Sequence, residues 1–324
     1  MTATSILEVR DLSVEFTTDR GIVRPVDGVD LDLKAGEMLG LVGESGSGKS
    51  VTSLAITGLT DYTGGRIVSG SVRLGDVEIL SLAAKGRAAV LGRDIGMIFQ
   101  QPRRSLNPTM PVGQQIAESV RRHRGVSRKQ AWNRAVEMLD RVRIPDPARR
   151  AREYPFSFSG GMAQRVMIAM ALACEPKVLI ADEPTTALDA TVQFTVMELL
   201  RDLQRDLDVA VLLITHDLGV AWGSCDRVAV MYCGQIVEQG PVREVLTTPT
   251  NPYTQGLLRA TPHRGMQERL IPIVGSVPSP ADLPTGCRFH PRCPRHVPGT
   301  CDITVPDLQM HSPGTLVRCL RPAS

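Results

Sequence analysis

Residues Gly43, Glu44, Ser45, Gly46, Ser47, Gly48, Lys49 and Ser50 fill the pattern G-x-x-x-x-G-K-[ST] without a gap. The apolar run Met38-Leu-Gly-Leu-Val42 precedes them, and Val51-Thr-Ser-Leu-Ala-Ile-Thr-Gly-Leu59 follows with apolar positions at helical spacing. The unit reads as strand, loop, helix. Glycines let successive backbone N–H groups converge on phosphate oxygens, and the helix N-terminus adds roughly half a positive charge. Lys49 is expected to reach the β and γ phosphates of a nucleotide and Ser50 to hold Mg²⁺, with Val51 the next residue of the loop–helix junction. A merely flexible turn has no use for Lys49-Ser50 in that place.

A second strand signal, Val178-Leu-Ile-Ala181, ends in Asp182 and Glu183. That order suits a Mg²⁺ ligand, Asp182, followed by a general base, Glu183, that polarises the attacking water. Further strand signals at Ala210–Ile214 and Val228–Tyr232, with amphipathic helices between, predict a largely parallel α/β sheet. From Pro111 to about residue 152 helix formers dominate, so a helical subdomain is expected within about 101–168. Past Pro249 prolines become frequent (Pro252, Pro272, Pro278, Pro280, Pro284 and beyond), which predicts a loop-rich extension. The expected organisation is a nucleotide-binding domain over 1–248 and a Pro/Cys-rich extension over 249–324.

Composition excludes several classes. The 37 basic and 34 acidic residues leave a net charge of +3, far from the basic stripe of a nucleic-acid binder. The runs Arg121-Arg122-His123-Arg124 and Arg149-Arg150-Ala151-Arg152 read as solvated helix faces. Glu8, Arg10, Asp11 and Glu15 interrupt the N-terminal segment, so it does not read as a signal peptide and a cytosolic chain is expected. The longest apolar stretch, Val209–Ile214, is far short of the ~18 to 20 residues that span a bilayer, so any membrane role must pass through partners. Of seven cysteines, Cys174, Cys225 and Cys233 lie in apolar segments and read as small core residues.

The order of these motifs resembles the ATPase subunits of ABC transporters over about residues 6–245. The fold implied is a P-loop NTPase of the ABC type, with a helical subdomain and a small loop-rich C-terminal extension. Gln100 resembles the glutamine that senses Mg²⁺ and the γ-phosphate. Ser159, Gly160 and Gly161 resemble the signature that opens a helix, here Ala163 to Ala173, and offers N–H groups to the ATP of a partner subunit. Phe158 and Met162 stand where the family usually has Leu and Gln. Ala187-Leu188-Asp189 resembles the loop crossing the dimer interface, His216 the switch histidine, and Phe16 the aromatic that stacks on adenine. Taken singly, Gln100 and His216 are ordinary polar surface residues and Phe16 an ordinary core residue; only their order along the chain makes them specific.

Asn251-Pro-Tyr-Thr-Gln-Gly-Leu-Leu258 and the tail beyond it resemble the extension of oligopeptide and dipeptide importer ATPases, where the first residue is often His. Peptide import is implied, with nickel or another small solute as the alternative cargo. Cys287-x5-Cys293-x7-Cys301-x17-Cys319 supplies four thiolates, enough for a tetrahedral zinc or an iron–sulfur cluster, and its spacing matches neither the zinc C-x2-C pair nor the ferredoxin run. Similar transporter subunits hold a [4Fe–4S] cluster there, which the resemblance therefore implies. His290, His296 and His311 are possible substitutes for one ligand. The implied partners are a paralogous ATPase subunit in a heterodimer, two transmembrane permease subunits and, indirectly, an extracytoplasmic substrate-binding protein. The implied location is the cytoplasmic face of the cell membrane. A soluble ABC ATPase of DNA repair or translation predicts a long coiled-coil insert or tandem cassettes, which the sequence does not contain, and a metal-sensing scaffold has no need of Glu183.

Overall fold

Three runs that read as apolar strands, Met38–Val42, Val178–Asp182 and Ala210–Thr215, are strands buried along their whole length. Strands covered on both faces have no polar side to present, which is why these segments are continuous in Val, Leu, Ile and Ala and do not alternate. The computed structural model describes residues 5–19, 21–186, 188–261 and 270–323. Ala187, the first residue of Ala187-Leu188-Asp189, lies outside them. The chain forms two compact units that interleave in sequence, and it passes from the first to the second inside the strand Ala210–Thr215.

The first unit comprises mainly Ser81–Leu212 with Lys34–Glu37. Its strands Ile95–Ile98 and Val178–Asp182 pair in parallel, Ile95 opposite Val178 and Ile98 opposite Ala181. The expected helical region holds the helices Val112–Arg124 and Arg128–Arg141, packed on each other. The first buries Val112, Ile116 and Val120 at i, i+4, i+8 and stops at Gly125, whose φ of 63° an L-residue adopts at a cost. The second starts with a complete capping box: the Ser127 hydroxyl accepts from Gln130 N–H, and Gln130 accepts from Ser127 N–H. Its buried Ala131, Ala135, Met138 and Leu139 face inward, and the helix Gly160–Leu172 packs against it. Arg149 and Arg150 both pair with Glu153 at 2.6 Å; the short helix Pro147–Arg150 ends inside that basic run, so the run spans a helix end and the turn after it rather than one helix face.

The second unit comprises Leu7–Leu33, Met38–Leu80 and Leu213–Ser324. One antiparallel sheet runs in the order Gly21–Lys34, Ser5–Thr18, Gly65–Leu74, Val77–Glu78. In the other, Met38–Val42 lies parallel to Arg227–Tyr232, and Gln235–Pro241 returns antiparallel. The tail is less irregular than its prolines suggest. The hairpin Leu308–Ser312 and Thr315–Arg318 adds to this sheet, Glu238 opposite Val317, because Pro313-Gly314 turns the chain between two short runs free of proline. Asn251 caps the helix Pro252–Ala260 through Tyr253 N–H, and its buried amide donates to the carbonyls of Val237 and Arg318. The asparagine therefore ties helix, sheet and tail together. Tyr232, Tyr253 and Phe289 form an aromatic cluster with centroids 4.5 to 5.3 Å apart.

Candidate functional site

The phosphate loop depends on close backbone approach. A Cβ on Gly43 would lie 2.2 Å from the Met231 carbonyl oxygen, and one on Gly48 2.2 Å from that of Pro25. Gly48 has φ 108° and stands at the N-cap of the helix Lys49–Ile56 with no side chain capping it, so no side chain competes with an anion for the helix N-terminus. Ser47 accepts at its carbonyl from Gly234 N–H at 2.8 Å, which anchors the loop to the neighbouring turn. The buried Lys49 ammonium donates to the carbonyls of Gly43 (2.8 Å) and Glu44 (2.9 Å) and lies 3.3 Å from Ser47 Oγ. It is thus held over the loop where phosphate oxygens would replace these partners. Ser45, Gly46 and Ser50 are exposed and Val51 is half-buried.

Elsewhere in this unit Phe16 is half-buried opposite Gly65, where its ring occupies the space a Cβ on Gly65 would need. His216 is exposed at the end of Ala210–Thr215, and the next residue, Asp217, caps the helix Leu218–Ser224.

In the first unit, Val178–Asp182 ends on the buried Asp182, and Glu183 follows with φ 47°, a left-handed conformation unusual for a glutamate. Gln100 Nε2 donates to Glu183 Oε2 at 2.8 Å, and Thr186 Oγ1 donates to the same oxygen at 2.7 Å. The structure thus brings together two residues predicted separately, Gln100 and Glu183. It adds Thr186, which sequence reading missed because a threonine three residues past a carboxylate is unremarkable.

The signature helix spans Gly160–Leu172, beginning three residues before the expected Ala163 because Ser159 caps it by accepting from Met162 N–H. A Cβ on Gly161 would meet Val192 Cγ1 at 2.7 Å. Asp189 caps the helix Ala190–Asp206 by accepting from Val192 N–H at 3.0 Å. Phe158 is buried, with the Arg150 guanidinium 5.8 Å from its ring centroid, so its departure from the family's Leu keeps an apolar packing role.

Cys174, Cys225 and Cys233 are buried, as expected of core residues. The four tail cysteines, Cys287, Cys293, Cys301 and Cys319, line one pocket with His290 and Arg295. Burial pushes the thiols of Cys287, Cys293 and Cys319 up, and neighbouring cysteines push each further. Among the described residues no three His, Cys, Asp or Glu side chains are gathered as ligands of one metal ion. The four thiols share the wall of one pocket.

Two residues of the tail reach the phosphate loop. Tyr253 Oη accepts from Glu44 N–H at 2.9 Å, and Arg292 grips the Glu44 carboxylate. They are separated from Glu44 by 209 and 248 positions, so no local signal announces them.

An uncapped phosphate-loop helix in one unit, and a strand-end carboxylate with a Ser-Gly-Gly helix in the other, are the parts of an ATP-binding cassette. The family described as ABC transporter matches residues 26–186, and the C-terminal region of oligopeptide/dipeptide transporters matches 237–301. The oligopeptide transport ATP-binding protein AppD of Bacillus subtilis is 48% identical over 97% of this chain and 96% of its own. OppD of Salmonella typhimurium, of the same description, is 48% identical over 99% of this chain and 95% of its own. Among solved structures, the ATP-binding cassette MJ0796, a dimer in a post-hydrolysis state bound to ADP and Pi, gives a TM-score of 0.65 at 28% identity, covering 73% of this chain and 99% of that one. The chain belongs to the ABC transporter family of ATP-binding subunits. It is an ATPase that uses ATP with Mg²⁺ and works with membrane-embedded permease subunits, and no helix among its described residues is long and apolar enough to cross a membrane.

Proposed function

We propose that this ATPase powers the import of short peptides, bound at the cytoplasmic face of the membrane to two permease subunits and paired with a paralogous ATPase subunit, with an extracytoplasmic binding protein delivering the cargo. The observation that carries the cargo reading is the C-terminal region at 237–301, together with relatives named for oligopeptide transport that match nearly the whole chain. The decisive test is uptake of labelled tri- to pentapeptides by cells lacking this chain and by cells carrying it back. Restored peptide uptake supports the reading. Unchanged peptide uptake with altered nickel uptake overturns it.

In the catalytic cycle we assign Lys49 and the N–H groups of Gly46 to Val51 to the β and γ phosphates, with Phe16 against adenine. Ser50, Asp182 and Gln100 serve Mg²⁺. Glu183 is the general base, placed by Gln100 and Thr186, and His216 is the γ-phosphate contact. Ser159, Gly160 and Gly161 address the ATP held by the partner subunit, with Asp189 at the subunit boundary, so each site needs two chains. The domain organisation that goes with this is a nucleotide-binding domain over 1–248 and an extension over 249–324.

For the extension we propose a [4Fe–4S] cluster, a reading that rests on the thiol donor set and on the resemblance, since no preformed metal site is gathered among the described residues. Four thiols around one pocket are the donor set of one cysteine per iron, and Cys287, Cys293, Cys301 and Cys319 would hold it. Bound, such a cluster supplies a one-electron centre and a staple for a segment with few large apolar residues. Zinc takes the same four thiolates, and metal analysis of anaerobically purified protein separates the two. About four irons per chain with broad absorbance near 400 nm, lost in Cys293→Ser, supports the cluster; zinc or no metal excludes it.

A further inference from the structure

Glu44 is the second residue of the phosphate loop, and it is held from outside the loop. Its N–H donates to Tyr253 Oη at 2.9 Å. Its carboxylate receives both ends of the Arg292 guanidinium, Nη1 to Oε2 at 2.8 Å and Nη2 to Oε1 at 3.0 Å, a bidentate fork. The Arg292 side chain is only 4% exposed, so this pair is not a screened surface contact. Arg292 is itself fixed: Nε donates to the Val274 carbonyl at 3.2 Å, Nη1 lies 3.4 Å from Tyr232 Oη, and the guanidinium sits 5.8 Å from the Tyr232 ring centroid.

The consequences run into the loop. The carbonyl of Glu44 is one of the oxygens on which Lys49 rests, and it also accepts from Ser47 N–H at 3.2 Å. Holding the N–H and the carboxylate of Glu44 therefore holds the residue whose carbonyl places the lysine. A carboxylate in a loop that receives phosphates also has the wrong sign, and the guanidinium neutralises it and keeps it turned away onto the extension.

We propose that Arg292 and Tyr253 are positioning residues for ATP, through which the C-terminal extension sets the nucleotide affinity of the phosphate loop. The claim rests on the ATPase activity and not on the cargo or on what the cysteines hold. Arg292 does precede Cys293 directly, in the single turn His290–Arg292, so the pocket and the loop are joined by one short segment.

The test uses the full-length chain: equilibrium binding of a fluorescent ATP analogue, and KM and kcat for ATP in the assembled transporter. The variants are Arg292→Ala, Arg292→Lys, Tyr253→Phe, Glu44→Gln and the double Arg292→Ala/Glu44→Gln. Thermal unfolding and metal content are read on each, so that loss of fold or of a bound metal is told apart from loss of positioning. Removing a hydrogen-bonded charge partner predicts that Arg292→Ala raises Kd and KM about tenfold or more, with kcat at saturating ATP changed less than about threefold. Arg292→Lys, a point charge without the fork, falls between. The double variant binds ATP more tightly than Arg292→Ala alone, because the carboxylate that needs neutralising is gone. Tyr253→Phe keeps the aromatic packing, removes only the acceptor, and raises KM about two- to fivefold. Unchanged Kd and KM in Arg292→Ala, or effects of Arg292→Ala and Glu44→Gln that simply multiply, overturn the proposal. If Arg292→Ala does not fold, unchanged KM in both Tyr253→Phe and Arg292→Lys overturns it as well.

Discussion

Replacing Glu183 by Gln separates the placement of the catalytic carboxylate from its chemistry. Two hydrogen bonds that place it, from Gln100 Nε2 at 2.8 Å and from Thr186 Oγ1 at 2.7 Å, fall on one oxygen, Oε2. A glutamine that puts its carbonyl oxygen there keeps both donors, and the amide nitrogen takes the place of Oε1. The side chain stays where it is and can no longer accept a proton from water. General-base catalysis is worth about 10² to 10⁴-fold, or about 2.7 to 5.4 kcal/mol of barrier, so turnover falls by that factor. ATP affinity holds, because the phosphate loop is untouched, and ATP-bound dimers accumulate. Thr186→Ala is the control: it removes one bond and leaves the base, costing about 1 kcal/mol, roughly fivefold in turnover. The assay is steady-state phosphate release by the assembled transporter beside retention of labelled ATP. Turnover of Glu183→Gln within tenfold of wild type, with ATP still bound, would refute the assignment of the base.

Gly48→Ala places a Cβ 2.2 Å from the Pro25 carbonyl oxygen at φ 108°, and we expect ATP affinity to fall at least ~10-fold; wild-type binding of a fluorescent analogue counts against the close-approach argument. Asn251→Ala loses the helix cap and the amide bonds to the carbonyls of Val237 and Arg318, a cost of about 1 to 3 kcal/mol by denaturant unfolding. Asn251→Asp is expected to be worse still, since it keeps the cap oxygen but turns a carboxylate toward the Val237 and Arg318 carbonyls; near-native stability of the aspartate variant would contradict the bonding described. Burial first, and then Arg122 and Arg93, hold His123 below its ordinary value near 6.5, against a smaller opposing pull from Asp94. The fold then binds fewer protons than the unfolded chain, so this contribution is complete above about pH 6.5 and is lost as pH falls through the lowered folded value. Melting temperatures of wild type and His123→Gln between pH 7.5 and 5 should diverge accordingly, and parallel curves would dispose of the idea.

Local chemistry decided much of this protein in advance. The glycines, lysine and serine of 43–50 can serve little but phosphate, and short apolar runs such as Val178–Ala181 suit buried strands, so the strand–loop–helix unit and the Asp182-Glu183 strand end were legible without coordinates. The helical character of 111–152 was equally visible in its helix-forming residues, whereas the Ser127–Gln130 capping box that starts the second helix was not read from the sequence. Tertiary structure decided what depends on residues far apart in the chain. Backbone conformation and packing put Glu183 at φ 47° with Gln100 and Thr186 on one oxygen, which no spacing predicts. A hairpin at 308–318 emerged from a proline-rich tail because a neighbouring strand edge was there to pair with it. The same tail delivers Tyr253 and Arg292 to Glu44 across more than two hundred residues. Sequence pattern reports periodicity and short-range chemistry, whereas a hydrogen bond between distant residues exists only once burial has brought their backbones together.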